Sequence, residues 1–147
     1  MSIPRLAVVI FVFKLLIPVT YSQELPQLYL NELIILPTGS LGIQVSPKAL
    51  SFQGKKVRLS GYMVKSEESP NGQFYFSPIP IQLSEHADGA ANDLPASAVL
   101  VKLDSNQANC VVTHKTGVIV LEGTLLVGRQ EDAQGAVSWF QLQLPIH

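Results

Sequence analysis

The chain has 147 residues, with 10 Lys and Arg against 11 Asp and Glu, 47% hydrophobic positions and one cysteine. This length fits one domain, and a charged fraction of 14% excludes a highly charged disordered chain. A pI near 6.3 without a basic block leads us to expect no nucleic-acid partner, and a single cysteine excludes an intrachain disulfide.

Residues 1–22 have the pattern of an export signal. A basic residue near the start precedes an apolar run, which Lys14 interrupts, and small side chains precede a cleavage position before Gln23. The apolar run is shorter than the roughly 20 residues of a full membrane span, which favours a signal. A membrane anchor over residues 6–21 stays open as an alternative. We therefore expect an exported protein, periplasmic or extracellular, or one attached to the inner membrane.

Residues 23–53 predict an irregular arm that leads into the domain. Frequent proline and glycine exclude a long helix in this stretch. Ser46 followed by Pro47 is typical of a helix N-cap with proline at the first helical position, and Gly54 is typical of the end of such a short turn.

Five later segments carry strand patterns. Each shows either apolar and polar residues alternating with a period of two or an apolar run rich in β-branched residues. A turn over residues 67–72 follows the first segment, and Pro78 and Pro80 make the end of the second an edge or an irregular crossing. In chain order the segments cover residues 55–65, 74–76, 98–103, 118–127 and 137–144.

A short helix is expected after the third of these strands. Asp104 or Ser105 is a suitable N-cap, and the apolar residues that follow are spaced as one helical face of about two turns at most. Five strands with a helix between the third and the fourth is the order of an OB-fold. We predict a mainly β domain over residues 54–147, built as a five-stranded OB-like barrel.

Gly61 and Gly123 occupy equivalent places in the first and fourth predicted strands. Each follows two alternating apolar residues, in V-x-L-x-G-x-M and I-x-L-x-G-x-L. A glycine inside a strand marks a bend or a close approach of two backbones. The repeated pattern predicts that the first and fourth strands are curved and that they lie next to each other.

Several motifs between residues 54 and 144 carry a resemblance to a known family. They are GKKVRLSGYMV, FYFSPIPIQ, SEHADGAANDLPASAVLV, VLEGTLLVGRQED and VSWFQLQL. In these motifs the chain resembles a family of exported, uncharacterised bacterial proteins with an OB-like fold. The first motif is also similar to a pattern in a broader group of periplasmic proteins, in which cysteines follow the proline-rich strand. This chain has no cysteine between Ser77 and Ser97, so a role for those cysteines does not carry over. The resemblance implies a fold and an extracytoplasmic location, and no activity.

The loop over residues 84–97 holds the densest cluster of functional side chains. Histidine and carboxylates are metal ligands and acid or base groups, and loops on a rigid barrel often carry binding residues. No zinc-site spacing is matched, and Ser, His and Asp so close together on one loop cannot easily form the line of a hydrolytic triad. We expect a solvated connection that can contact a ligand or partner. The candidates are Glu85, His86, Asp88 and Asp93, with His86 and Asp88 as weak metal-ligand candidates.

Four further residues are candidates for chemistry or contact. Cys110 and His114 are four positions apart and would share a face if they lay on a helix, but we expect Cys110 to be buried. Tyr62 and Trp139 are aromatic candidates for partner contact, while most other aromatic residues are expected to fill the core.

No catalytic constellation or cofactor motif stands out, so we expect no enzyme activity and no cofactor. The leading hypothesis is an exported module that binds an unknown protein or small ligand through the face bounded by residues 84–97. Two alternatives stay open. One is an extracytoplasmic metal-binding protein that uses His86 and Asp88, and the other is a membrane-anchored structural or assembly protein held by residues 6–21.

Overall fold

The computed structural model describes residues 23–83, 94–131, 135 and 137–146, together with the backbones of residues 85, 86, 89 and 90. The predicted export or anchor segment over residues 1–22 lies outside the described residues, as do Asp88 and Asp93. Within the described ranges, no helix is both long enough and apolar enough to span a membrane.

Strands make up most of the regular structure. The helical elements of the described residues are short: α1 covers Pro47–Ser51, and two 3-10 turns cover Leu30–Glu32 and Ser105–Gln107. The predicted mainly β fold is confirmed. The strands are β1 (Gln27–Tyr29), β2 (Lys56–Met63), β3 (Gln73–Ser77), β4 (Glu85–His86), β5 (Gly89–Ala90), β6 (Val99–Lys102), β7 (Val118–Glu131) and β8 (Val137–Gln143).

Five strands close into a ring, and each comes from one of the predicted segments. The neighbours run in the order β2, β3, β6, β8 and β7, and β7 returns to pair with β2. Only β6 and β8 run parallel within this ring. The ring is not a regular barrel, because β2 and β3 share two residue pairs, Tyr62 with Ser77 and Met63 with Phe76, and β1 pairs with β2 in parallel. The structure therefore confirms a barrel-like fold.

The core lies inside this ring and follows the alternation of the strands. Along β2 the apolar residues are buried, while the polar residues between them are exposed or half-buried. Phe76 of β3 and Phe140 of β8 are the largest fully buried side chains.

The two matched glycines stand at close approaches, as predicted. A Cβ added at Gly61 would lie 2.6 Å from Leu30 Cδ1 and 2.7 Å from the Ser77 carbonyl oxygen. A Cβ at Gly123 would lie 2.6 Å from the Gln143 carbonyl oxygen. β2 and β7 are antiparallel neighbours over seven residue pairs, so the predicted adjacency of these strands is confirmed.

The N-terminal stretch contributes to the core, which its irregular sequence did not predict. Leu28, Leu30 and Leu33 are 0%, 2% and 0% exposed. The predicted N-cap of α1 is confirmed, because Ser46 Oγ accepts a hydrogen bond from the Ala49 backbone N–H at 3.0 Å. The same hydroxyl donates to the Glu32 carbonyl oxygen, which ties α1 to the preceding 3-10 turn.

The prediction of a helix after the third strand is correct for the first turn and wrong beyond it. Asp104 does cap a turn, since its Oδ2 accepts from the Asn106 backbone N–H at 3.1 Å. That turn ends at Gln107, and Val111 forms an isolated antiparallel bridge with Asn71. Pairing with the β2–β3 turn therefore replaces helical hydrogen bonds in this segment.

The expected burial of Cys110 is also wrong. The Cys110 carbonyl oxygen accepts from the Gly72 backbone N–H at 2.9 Å, and the thiol is exposed and free. His114 lies on no helix, and its Nε2 is 3.1 Å from the Met63 carbonyl oxygen. Cys110 and His114 do not share a helical face.

Candidate functional site

One residue from each strand of the ring lines up in a continuous register. Lys56 of β2 pairs with Thr124 of β7, and Thr124 pairs with Gln143 of β8. Gln143 pairs with Lys102 of β6, and Lys102 pairs with Gln73 of β3. All five residues are polar and all five line the same groove, so we call them the polar row.

The polar row follows from strand alternation. In each strand a buried apolar residue lies next to the polar one, so the row occupies the alternate positions that do not enter the core. Lys56 is exposed, and the other four residues are half-buried. The buried neighbours are Val57, Phe74, Val101, Leu125 and Leu142.

The groove beside the polar row has a volume of about 790 Å³. Small-molecule sites in proteins usually measure roughly 300–1,000 Å³. Apolar residues from the segments around the strands also line it, and Ile146 among them is 71% exposed. The groove therefore offers both polar and apolar contacts. The apolar residues are Leu25, Leu103, Ala108, Leu144, Pro145 and Ile146.

Backbone hydrogen bonds hold the walls of the groove in place. The Leu103 N–H donates to the Gly72 carbonyl oxygen at 2.9 Å, and the Leu144 N–H donates to the Lys102 carbonyl oxygen at 2.9 Å. Gly72 has a φ of +65°, and a Cβ there would lie 2.3 Å from the Ala108 carbonyl oxygen. Only glycine lets the β2–β3 turn and the segment after β6 approach so closely.

The charges at the groove differ in whether they have partners. Arg58 Nη2 lies 2.7 Å from Glu122 Oε1, and Asp104 accepts the backbone hydrogen bond of the turn that it caps. Lys56 and Lys102 make no ion pair or side-chain hydrogen bond with any residue that the structure describes. Among the described residues that line the groove, the two lysines are therefore the charges left to contact a ligand.

A smaller cleft lies beside Trp139. Its volume is about 220 Å³, below the usual size of a small-molecule site. Residues 94–96, from the end of the predicted contact loop, line it together with Trp139 and Tyr75. Ser138 also lines it, and its buried hydroxyl has no hydrogen-bond partner among the described residues.

Of the other predicted contact residues, the structure describes the backbones of Glu85 and His86 and the whole of Tyr62. Glu85 and His86 form β4, whose backbone pairs with β5 in a two-stranded sheet. Tyr62 is half-buried between Ser77 and Val118 on neighbouring strands, and it lines neither the groove nor the cleft. In the described part of the chain, no three His, Cys, Asp or Glu side chains come together as a metal site.

Sequence reasoning missed the polar row. Alternation does place each of its residues away from the core, as at Lys56 beside Val57. The register that joins the row depends on pairing between strands far apart in the chain, such as Lys102 with Gln143. No local pattern carries that information.

Comparisons with known proteins reveal a likeness of fold. A crystal structure of a DUF3299 family protein from Pseudomonas aeruginosa PAO1 is similar to this chain, with a TM-score of 0.50 and 16% sequence identity. The match covers 80% of this chain and 91% of that one. A scan against protein-family models finds no match. A search of curated proteins finds none either. At this identity the structural likeness shows a shared fold alone.

Proposed function

We propose that this chain is an exported, non-enzymatic module that binds a small amphiphilic ligand in the groove beside the polar row. The observation that carries the proposal is the joining of five polar side chains, one from each ring strand, with apolar walls around a volume of about 790 Å³. Sites on rigid strands hold their side chains in defined positions, which favours selective binding.

The carboxylates at the groove are engaged in other contacts. A carboxylate that acts as a general acid or base must be free to exchange a proton with the substrate. At this groove the Glu122 carboxylate is held by Arg58, and the Asp104 carboxylate caps a turn. Lysine, threonine and glutamine make up the polar row and provide ionic and hydrogen-bond contacts.

A bulky residue in the polar row tests the site. The neutral fluorescent probe N-phenyl-1-naphthylamine is expected to bind the full-length chain with enhanced emission. Thr124→Phe fills the groove and should weaken that binding by about tenfold. Thr113→Phe is the matched control, because Thr113 is exposed and does not line the groove. Equal probe binding by Thr124→Phe and the wild type, with both folded, would contradict the proposal.

The cleft beside Trp139 is a second candidate site. The Ser138 hydroxyl, which has no hydrogen-bond partner in the described part of the chain, and the approach of residues 94–96 favour it as a partner-binding face. Trp139→Phe distinguishes the two candidates. Loss of probe binding in this variant, with binding kept in Thr124→Phe, would move the site from the groove to the cleft.

Export is tested by the N-terminus of the protein. Its support is the charge and hydropathy pattern of residues 1–22. The mature protein recovered outside the cytoplasm is expected to begin at Gln23. Recovery of the uncut chain in the membrane fraction would favour the anchor over residues 6–21 instead.

A further inference from the structure

We propose that the groove selects ligands in which a carboxylate or phosphate group is joined to an apolar portion. Lys56 and Lys102 are the residues that contact the anionic group. This inference rests on the proposed function, because it concerns the ligand class of the same groove.

The pairing of charges at the groove is the first support. Lys56, Lys102, Asp104 and Glu122 line it, and Arg58 neutralises Glu122 from outside it. The four lining charges sum to zero, but Glu122 is paired with Arg58 and Asp104 caps a turn, so among the described residues the two lysines are the charges left without a partner. An anionic group would pair with these lysines, whereas a cationic ligand would be repelled by them.

The order of the polar row is the second support. Thr124 and Gln143 lie between the two lysines in the register of the strands. The Gln143 amide nitrogen donates to the Leu103 carbonyl oxygen at 3.0 Å, and the Thr124 hydroxyl has no partner in the part of the chain described. A hydroxyl donor therefore stands beside an ammonium donor. Hydrogen bonds from charged donors to carboxylate or phosphate oxygens are stronger than neutral ones.

The apolar walls are the third support. Leu103 and Leu144 are half-buried and follow directly after two residues of the polar row, Lys102 and Gln143. Ile146 is 71% exposed at the same groove. Covering this apolar surface with an acyl or aromatic portion would be favourable through the hydrophobic effect. An inorganic anion would leave the same surface in water.

Four probes of equal chain length test the selectivity. Decanoate, decyl phosphate, decanol and decylamine are titrated against the full-length chain carrying N-phenyl-1-naphthylamine, below the concentrations at which they form micelles. The two anions should displace the dye at concentrations about tenfold lower than decanol, since hydrogen bonds to charged groups add to the shared apolar contact. Decylamine should be the weakest. The relative affinities of decanoate and decyl phosphate distinguish a carboxylate site from a phosphate site.

Lysine variants assign the effect to these residues. Lys56→Gln and Lys102→Gln should each lower the affinity for decanoate by about three- to tenfold and leave decanol unchanged. Lys65→Gln is the matched control, because it removes the same charge from an exposed lysine that does not line the groove. Thermal unfolding midpoints equal to that of the wild type confirm that the variants fold.

The outcomes separate the inference from the proposed function. Decanol binding as tightly as decanoate would overturn the anion preference and leave the groove as a ligand site. An equal loss of decanoate binding in Lys65→Gln would also overturn it, since net charge and not position would then decide affinity. If none of the four probes displaces the dye and Thr124→Phe binds the dye normally, both proposals fail.

Discussion

Arg58 and Glu122 face each other across the β2–β7 pairing, with Arg58 Nη2 2.7 Å from Glu122 Oε1 and Arg58 Nε 2.8 Å from the same oxygen. Glu122 lines the groove and Arg58 does not. Arg58 therefore controls the charge of the groove without lining it. A further ion pair at 3.7 Å joins Arg58 to Glu24.

Arg58→Gln should weaken anion binding without unfolding the protein. The change leaves the Glu122 carboxylate uncompensated at the groove, so the affinity for decanoate should fall by about two- to fivefold at low salt. Both side chains are partly exposed, at 34% and 47%, and the free energy of unfolding should change by about 1 kcal/mol or less. Dye displacement and urea denaturation measure the two effects. An unchanged decanoate affinity would show that Glu122 does not act on the ligand.

Gly61→Ala should destabilise the fold by about 2 kcal/mol, because the added methyl group meets the Ser77 carbonyl oxygen and the Leu30 side chain at less than 3 Å. Gly39→Ala is the control, since nothing lies within 4 Å of a Cβ at that position. Urea denaturation gives both free energies of unfolding. Equal values for the two variants would mean that the ring adapts to a side chain at Gly61.

Glu32 should contribute to the loss of stability in acid. A hydrogen bond from Lys48 Nζ at 2.7 Å, and one from the Tyr29 backbone N–H at 3.1 Å, hold the pKa of Glu32 below its ordinary value of 4.5. Because the pKa of Glu32 is lower in the folded state, the stabilisation that its carboxylate provides is complete well above pH 4.5. This stabilisation is lost as the pH falls through the pKa of Glu32 in the folded state.

Glu32→Gln should therefore show a shallower fall of unfolding free energy below about pH 4.5 than the wild type. Urea denaturation at several acidic pH values and at neutral pH measures this slope. Glu68→Gln, in the exposed β2–β3 turn, is the control for the loss of one carboxylate. The same acid slope in Glu32→Gln and the wild type would contradict the role of the Lys48 contact.

Cys110 should react as an accessible thiol in the folded protein. Because the residue is exposed and free, dithionitrobenzoate should label one thiol per chain without denaturant. Cys110→Ser should abolish the reaction. Labelling that begins only in urea would instead support the burial that the sequence led us to expect.

Much of the fold was predictable because the ring strands carry strong local patterns. The alternation along β2 and the apolar run of β7 identified both strands, and the glycines at 61 and 123 indicated that they are neighbours. β1 escaped prediction because it has three residues and pairs with residues 58–60, about thirty positions away. A pairing between residues so far apart in the chain produces no recognisable pattern in the sequence of a three-residue strand.

The candidate groove was less predictable than the fold for a related reason. Its lysines come from strands that are far apart in the chain, and each resembles an ordinary solvent-facing residue when read alone. The segment after Asp104 misled in another way. Its apolar spacing fits a helix, yet the bridge between Asn71 and Val111 holds it extended against a turn. Tertiary pairing outweighed local propensity there.

β7 takes part in two pairings of the ring with different stretches of its fourteen residues. It pairs with β2 up to Thr124 and with β8 from Thr124 onward, so Thr124 belongs to both strand pairings. Releasing β7 from either neighbour would disturb the residue that begins the other pairing. The backbone amides of both pairings should then exchange their hydrogens with solvent through one shared opening, with a common free energy of opening.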